Sequence, residues 1–194
     1  GADACLLVTP YYNKPNQKGL FEHYKTINDA VDIPQILYNV PSRTNCDLEN
    51  ETIISLSQFS NIIGIKDATG QLDRINFLKE KVKNNFIFIS GDDLSFLEYI
   101  ERGGCGVISV TANVKPDLMH NICNSALNGD IEKSRSINRE LTKLHKAMFV
   151  DSNPIPVKWL MTYLGLINKG IRLPLVELDK KYQKTLIEIF EAIK

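Results

Sequence analysis

Five short runs of apolar, largely β-branched residues, at 4–9, 35–39, 62–66, 86–90 and 106–110, alternate with longer stretches whose apolar positions recur at helical spacing. Each short run is nearly continuous in apolar residues rather than alternating with polar ones. That pattern predicts strands buried on both faces of a parallel sheet. The stretches between them predict helices over 18–31, 50–57, 72–82, 94–101 and 117–127. In the first of these, Leu20, Phe21, Tyr24, Ile27 and Val31 fall at helical spacing. Asp47 stands where it would cap the second, and Asp92-Asp93 open the fourth. Strand starts recur every 20 to 31 residues, the size of a βα unit.

After Asn128-Gly129-Asp130 the alternation stops, and 131–150, 156–164 and 179–193 all read as helices, punctuated by Gly165, Gly170 and Pro174. The expected organisation is therefore an α/β section of five βα units over 1–129 and a helical section over 130–194. Five parallel units suit either an open doubly wound sheet or part of a (β/α)8 barrel. The glycine-rich run Gly103-Gly104-Cys105-Gly106 precedes a strand instead of following one, and there is no Gly-Lys-Ser/Thr phosphate loop. A nucleotide-binding sheet is not a credible reading.

Composition narrows the function classes. Hydrophobic residues make up 43% of the 194 residues and charged ones 24%, as in ordinary globular proteins. Lys+Arg and Asp+Glu are each 23, so neither a nucleic-acid partner nor an anionic membrane is suggested. No apolar run approaches a membrane span and the N-terminus lacks a signal-peptide pattern, which together predict a cytoplasmic protein. The chain has no initiator Met and enters a strand pattern almost at once, as expected of a fragment. Cys5, Cys46, Cys105 and Cys123 lack metal-ligand spacing and read as reduced thiols. His23, His120 and His145 lie within helical patterns, so neither a metal site nor a hydrolytic triad is expected.

In a barrel the reactive groups gather at the C-terminal ends of the strands. Those ends carry Tyr11-Tyr12, Tyr38 with Arg43, Lys66-Asp67, Ser90-Gly91-Asp92-Asp93 and Ser109-Val110-Thr111. A lysine ending a buried strand is desolvated, which depresses its pKa and frees a nucleophilic amine for imine formation. Position alone equally allows Lys66 to emerge into solvent or to pair with Asp67. A phenol at Tyr38 suits proton relay, or simply fills the barrel. Arg43, in a loop, has the planar fork that clamps carboxylates, though a loop arginine is more often a surface charge. Tyr11 and Tyr12 suit packing or an interface. For Asp92-Asp93, helix capping outweighs a hard-metal site.

Taken together, Tyr38-Asn39-Val40-Pro41-Ser42-Arg43-Thr44 and Gly64-Ile65-Lys66-Asp67-Ala68-Thr69-Gly70 resemble the paired signature of the dihydrodipicolinate synthase (4-hydroxy-tetrahydrodipicolinate synthase) family. The segments Val8-Thr9-Pro10-Tyr11-Tyr12-Asn13-Lys14-Pro15, Ser90-Gly91-Asp92-Asp93, the run at 106–113 and Asn153-Pro154-Ile155-Pro156-Val157-Lys158 match it too. The resemblance implies a (β/α)8 barrel followed by a C-terminal helical domain, assembled as a homotetramer. It implies a lyase of lysine and diaminopimelate biosynthesis that condenses pyruvate with L-aspartate 4-semialdehyde, using a covalent imine and no cofactor. By this likeness Lys66 attacks the pyruvate ketone, Tyr38 relays protons and Tyr12 joins the relay of a neighbouring subunit. Arg43 holds the semialdehyde carboxylate, Gly91 and Ile108 line the pyruvate pocket, and Tyr11 lies at the dimer interface near where lysine inhibits regulated members.

Two alternatives stand beside that expectation. One is a related pyruvate-dependent lyase such as N-acetylneuraminate lyase, which lacks an arginine at the position of Arg43. The other is an inactive truncated remnant. Members of the family carry about three further βα units ahead of the strand that begins here at Ala4, and eight strands close such a barrel. Those units bear a Gly-Thr-Thr-Gly-Glu segment of the proton relay and most of the lysine-binding residues, so the isolated chain is expected to have little activity.

Overall fold

The computed structural model describes residues 1–193. They fall into two compact units, Gly1–Ile108 and a second that begins at Ser109. The sequence pattern instead puts a division at residues 129 and 130; the helix between these two boundaries clusters with the helices that follow it.

In the first unit, β1 (Cys5–Val8), β2 (Gln35–Asn39), β3 (Ile62–Asp67), β4 (Ile87–Ser90) and β5 (Gly106–Val107) form one parallel sheet in sequence order. Between them run α1 (Gln17–Ala30), α2 (Pro41–Thr44), α3 (Asn50–Leu56), α4 (Leu72–Lys79) and α5 (Phe96–Glu101). Asn16 caps α1 by accepting from the Gly19 N–H at 2.9 Å. One sheet face packs on the helices: Leu37, Ile65 and Phe88 meet Leu20 and Tyr24 of α1, Ile53 and Leu56 of α3, and Ile75 and Leu78 of α4. The Tyr24 hydroxyl donates to the Leu7 carbonyl at 3.2 Å, and burial raises its pKa.

Side chains alternate along a strand, so the residues between these core positions face the other way. The register sets them in two rows, Leu6–Ile36–Gly64–Ile87 and, one step nearer the strand ends, Val8–Tyr38–Lys66–Ile89. An irregularity at the start of β3 pairs Gln35 with Ile62 but Ile36 with Gly64. The extra residue lets Ile62 join the helix-side core while Lys66 keeps to the opposite face.

The second unit is helical: α6 (Pro116–Leu127), α7 (Ile131–Ala147), α8 (Ile155–Tyr163) and α9 (Lys180–Glu191), preceded by a 3-10 turn at Thr111–Asn113. Asp130 and Asp179 cap α7 and α9 through the Lys133 and Lys181 N–H groups. His145 is buried, with Nε2 3.2 Å from Asn138 Oδ1 and Nδ1 2.7 Å from Thr111 Oγ1. A carbonyl oxygen only accepts, so Nε2 donates and Nδ1 accepts from the threonine hydroxyl. That fits the structural role expected of His145.

Four local expectations need correcting. Residues 108–110 do not extend β5, because the Ser109 Oγ accepts the Ala112 N–H at 3.0 Å and turns the chain into the 3-10 helix. Arg43 lies in a single-turn helix rather than a loop, started by Pro41 and closed by Asn45 at φ +51°. Asp47 does not cap α3, which follows Glu49 without a side-chain cap. Asp92 accepts from the Ser95 N–H at 2.9 Å and hydroxyl at 2.6 Å in the turn before α5, whose own N-cap, Ser95, makes no side-chain cap bond.

Candidate active site

Lys66 and Tyr38 are register partners on neighbouring strands and share one sheet face. The Lys66 Nζ lies 4.2 Å from the centroid of the Tyr38 ring. Contact with the ring face favours the charged ammonium. Lys66 is only 8% exposed, however, and burial outweighs everything else, holding its pKa below the ordinary lysine value while the nearby Asp93 charge pulls the other way. The result is a lysine from which a neutral, nucleophilic amine is more readily released. Burial also raises the Tyr38 pKa, and the Arg43 charge opposes that rise, which keeps the phenol protonated and able to donate.

Gly91 makes room for this amine. A Cβ added there would lie 2.9 Å from Lys66 Cε and 2.8 Å from the Ala68 Cβ. Its N–H donates to the Asp67 carbonyl at 2.7 Å, so the β4 end rests directly against the β3 end. The same lateral bond recurs at neighbouring strand ends: Thr9 N to Tyr38 O at 3.2 Å, Ala68 N to Asn39 O at 2.9 Å and Ile108 N to Ser90 O at 3.0 Å.

The structure thus brings Lys66, Tyr38 and Gly91 together, with Arg43 within electrostatic reach of Tyr38. Ile108 is exposed just beyond β5. Tyr11 and Tyr12 are not gathered with the lysine; they project from the segment after β1, Tyr12 at 91% exposure. The sequence reading placed Asp93 at a strand end but gave it a capping role; in the structure it is 2% exposed and its charge acts on Lys66. Arg74 was missed; it stands beside Ile75 and four residues before Leu78, on the buried face of α4. Among the described residues no group of three or more His, Cys, Asp or Glu could hold a metal ion.

Residues 1–193 match the model of the dihydrodipicolinate synthetase family. The chain is 54% identical over 186 residues to a 4-hydroxy-tetrahydrodipicolinate synthase of Nitrosomonas eutropha, covering 96% of this chain and 64% of that one. It is 57% identical over 180 residues to the enzyme of the same name from Pseudomonas putida, covering 93% and 62%. Among solved structures, the chloride-inhibited dihydrodipicolinate synthase from Acinetobacter baumannii, complexed with pyruvate, superposes with a TM-score of 0.96 at 47% identity, over all of this chain and 66% of that one. The chain therefore spans somewhat less than two thirds of the length of the curated relatives it matches. Its fold is the corresponding part of their (β/α)8 barrel and the helices that follow.

Proposed function

Because the chain belongs to the dihydrodipicolinate synthetase family, we propose that the full-length protein condenses pyruvate with L-aspartate 4-semialdehyde to give 4-hydroxy-tetrahydrodipicolinate. The observation that carries this reading is the buried Lys66 amine beside Tyr38 at the end of β3. The neutral amine adds to the ketone carbon of pyruvate, and the carbonyl oxygen leaves as water after protonation. Tyr38 supplies and recovers protons in these steps. Loss of a methyl proton from the imine gives an enamine, whose carbon attacks the aldehyde of the second substrate; the amine of that substrate then displaces the Lys66 amine from the imine carbon, closing the ring and freeing the lysine. Arg43 receives that substrate's carboxylate through its planar fork. In this reading Gly91 and Ile108 border the pyruvate pocket, no cofactor is required, and Tyr12 and Tyr11 serve a contact between copies of the chain, with Tyr12 reaching a neighbouring site. The soluble homotetramer of the family is the assembly proposed.

The test is borohydride reduction in the presence of pyruvate, followed by peptide mapping. A reduced pyruvate adduct on Lys66 is expected; its absence from a folded full-length protein would sink the proposal. Turnover with the semialdehyde but not with a sugar acid then separates the synthase from its sugar-acid relatives.

Two variants probe the site further. Tyr38→Phe is expected to slow adduct formation by about 100-fold with little change in pyruvate half-saturation, since a proton relay acts on the step and not on binding. Quenched-flow trapping measures it, and a wild-type rate would remove Tyr38 from the relay. Gly91→Ala is expected to displace the Lys66 side chain and slow trapping by about 10- to 100-fold, because its Cβ would press on Lys66 Cε. Circular dichroism should show the fold retained.

A further inference from the structure

Behind the pair formed by Tyr38 and Lys66 lies a second pair. Asn39 and Asp67 are the next register partners along β2 and β3 and, by strand alternation, point to the helix side. There they meet a buried arginine. Arg74 of α4 is 9% exposed, and its Nη1 sits 2.9 Å from Asp47 Oδ2 and 3.2 Å from Oδ1. Its Nη2 donates to the Leu48 carbonyl, and its Nε lies 3.8 Å from Asp67 Oδ2. Asn39 closes the arrangement, donating to Asp47 Oδ1 at 2.7 Å and accepting from the Leu48 N–H at 3.0 Å.

One guanidinium therefore joins α4, the Asp47-Leu48 segment that follows the Arg43 helix, and the end of β3. Its three contact directions use the fork geometry that only arginine provides. Burial raises the pKa of Asp67, opposed first by the hydrogen bonds it accepts from Thr69 and then by the Arg74 charge, which lies closer to the Asp47 carboxylate. The arrangement is thus directional: Arg74 grips Asp47 and Leu48 firmly and steadies Asp67 from a distance. A displacement of α4 would be transmitted to Asp67 and, one residue back, to Lys66.

We propose that Arg74 is a positioning residue, which sets Lys66 against Tyr38 by clamping the Asp47-Leu48 segment and Asp67 to the back of the sheet; this rests on the imine role assigned to Lys66. The experiment compares R74K, R74M and D47N with wild type in the full-length protein, reading borohydride-trapping rate at saturating pyruvate, pyruvate half-saturation and thermal unfolding. Folded R74K and R74M are both expected to trap about 10- to 100-fold more slowly with half-saturation changed by less than about 3-fold, because a misplaced nucleophile loses rate before affinity. Failure of R74K to restore the rate is part of the expectation, since lysine keeps the charge without the fork. Wild-type trapping by folded R74K overturns the proposal. Should the Arg74 variants not fold, D47N decides: a severalfold slower adduct supports the clamp and a wild-type rate overturns it. If wild type itself traps no pyruvate, the reading of Lys66 fails and the positioning role falls with it, whereas trapping by wild type and all variants alike removes only the role of Arg74.

Discussion

Lys66→Met is expected to abolish the pyruvate adduct and to lower synthase kcat in the full-length protein by about 1000-fold or more, while raising thermal stability at neutral pH. The loss follows from removing the only atom that forms the covalent bond in the proposed reaction. The gain follows from burial. Burial holds the Lys66 pKa below that of an unfolded lysine, about 10.4, so folding disfavours the charged form. For a group depressed in this way, its favourable contribution is present above the unfolded pKa and lost as pH falls through the folded one. At neutral pH the ammonium therefore opposes folding, and an apolar side chain of similar length relieves it. The advantage of the variant should shrink as pH rises from the folded value toward about 10.4, where both folded and unfolded lysines become neutral. Melting curves across that range check the sign; an advantage that widens with pH would contradict burial as the cause. Adduct formation in wild type should likewise gain rate with a midpoint below that of ordinary lysine.

The largest stability loss is expected from Gly64→Ala. Gly64 sits in the row beneath Lys66, and a Cβ there would lie 2.5 Å from the Ile87 carbonyl oxygen and 2.7 Å from the Ile87 Cβ. The obstacle is backbone and a branched side-chain root, neither of which can rotate away. β3 and β4 would have to part where their ladder begins, at a cost of about 3 kcal/mol. Urea denaturation measures it, and a loss below about 1 kcal/mol would show that the strands separate more easily than their ladder suggests. Because the same strands seat Lys66 and Gly91, trapping should fall in the surviving folded fraction as well.

How far the sequence revealed these features depends on the range of the interaction responsible. Strand identity was legible because the runs at 35–39 and 62–66 owe their character to their own apolar residues. Lys66 was visible for the same reason: a charge closing an apolar run is conspicuous. The helix Pro41–Thr44 was not, since four residues are too few to display a period. Asp47 was assigned a local capping role because the residues beside it allow one; its actual partners, Asn39 and Arg74, lie 8 and 27 positions away. Asp93 was grouped with Asp92 for want of any local difference between them; in the fold Asp93 is buried and its charge acts on Lys66.

The sheet's strand order has a consequence for how the site comes into being. Among the described residues, each of β2 to β5 pairs with the strand that precedes it in the chain. Tyr38 and Lys66 are separated by a single βα unit, which makes their meeting a problem of short loop closure rather than of global topology. During synthesis the two side chains can come together as soon as β3 has emerged and α1 and α3 have covered its back. Arg74 belongs to the helix that follows β3, so its bonds to Asp47 and Leu48 form only after the strand that carries Lys66 has been made.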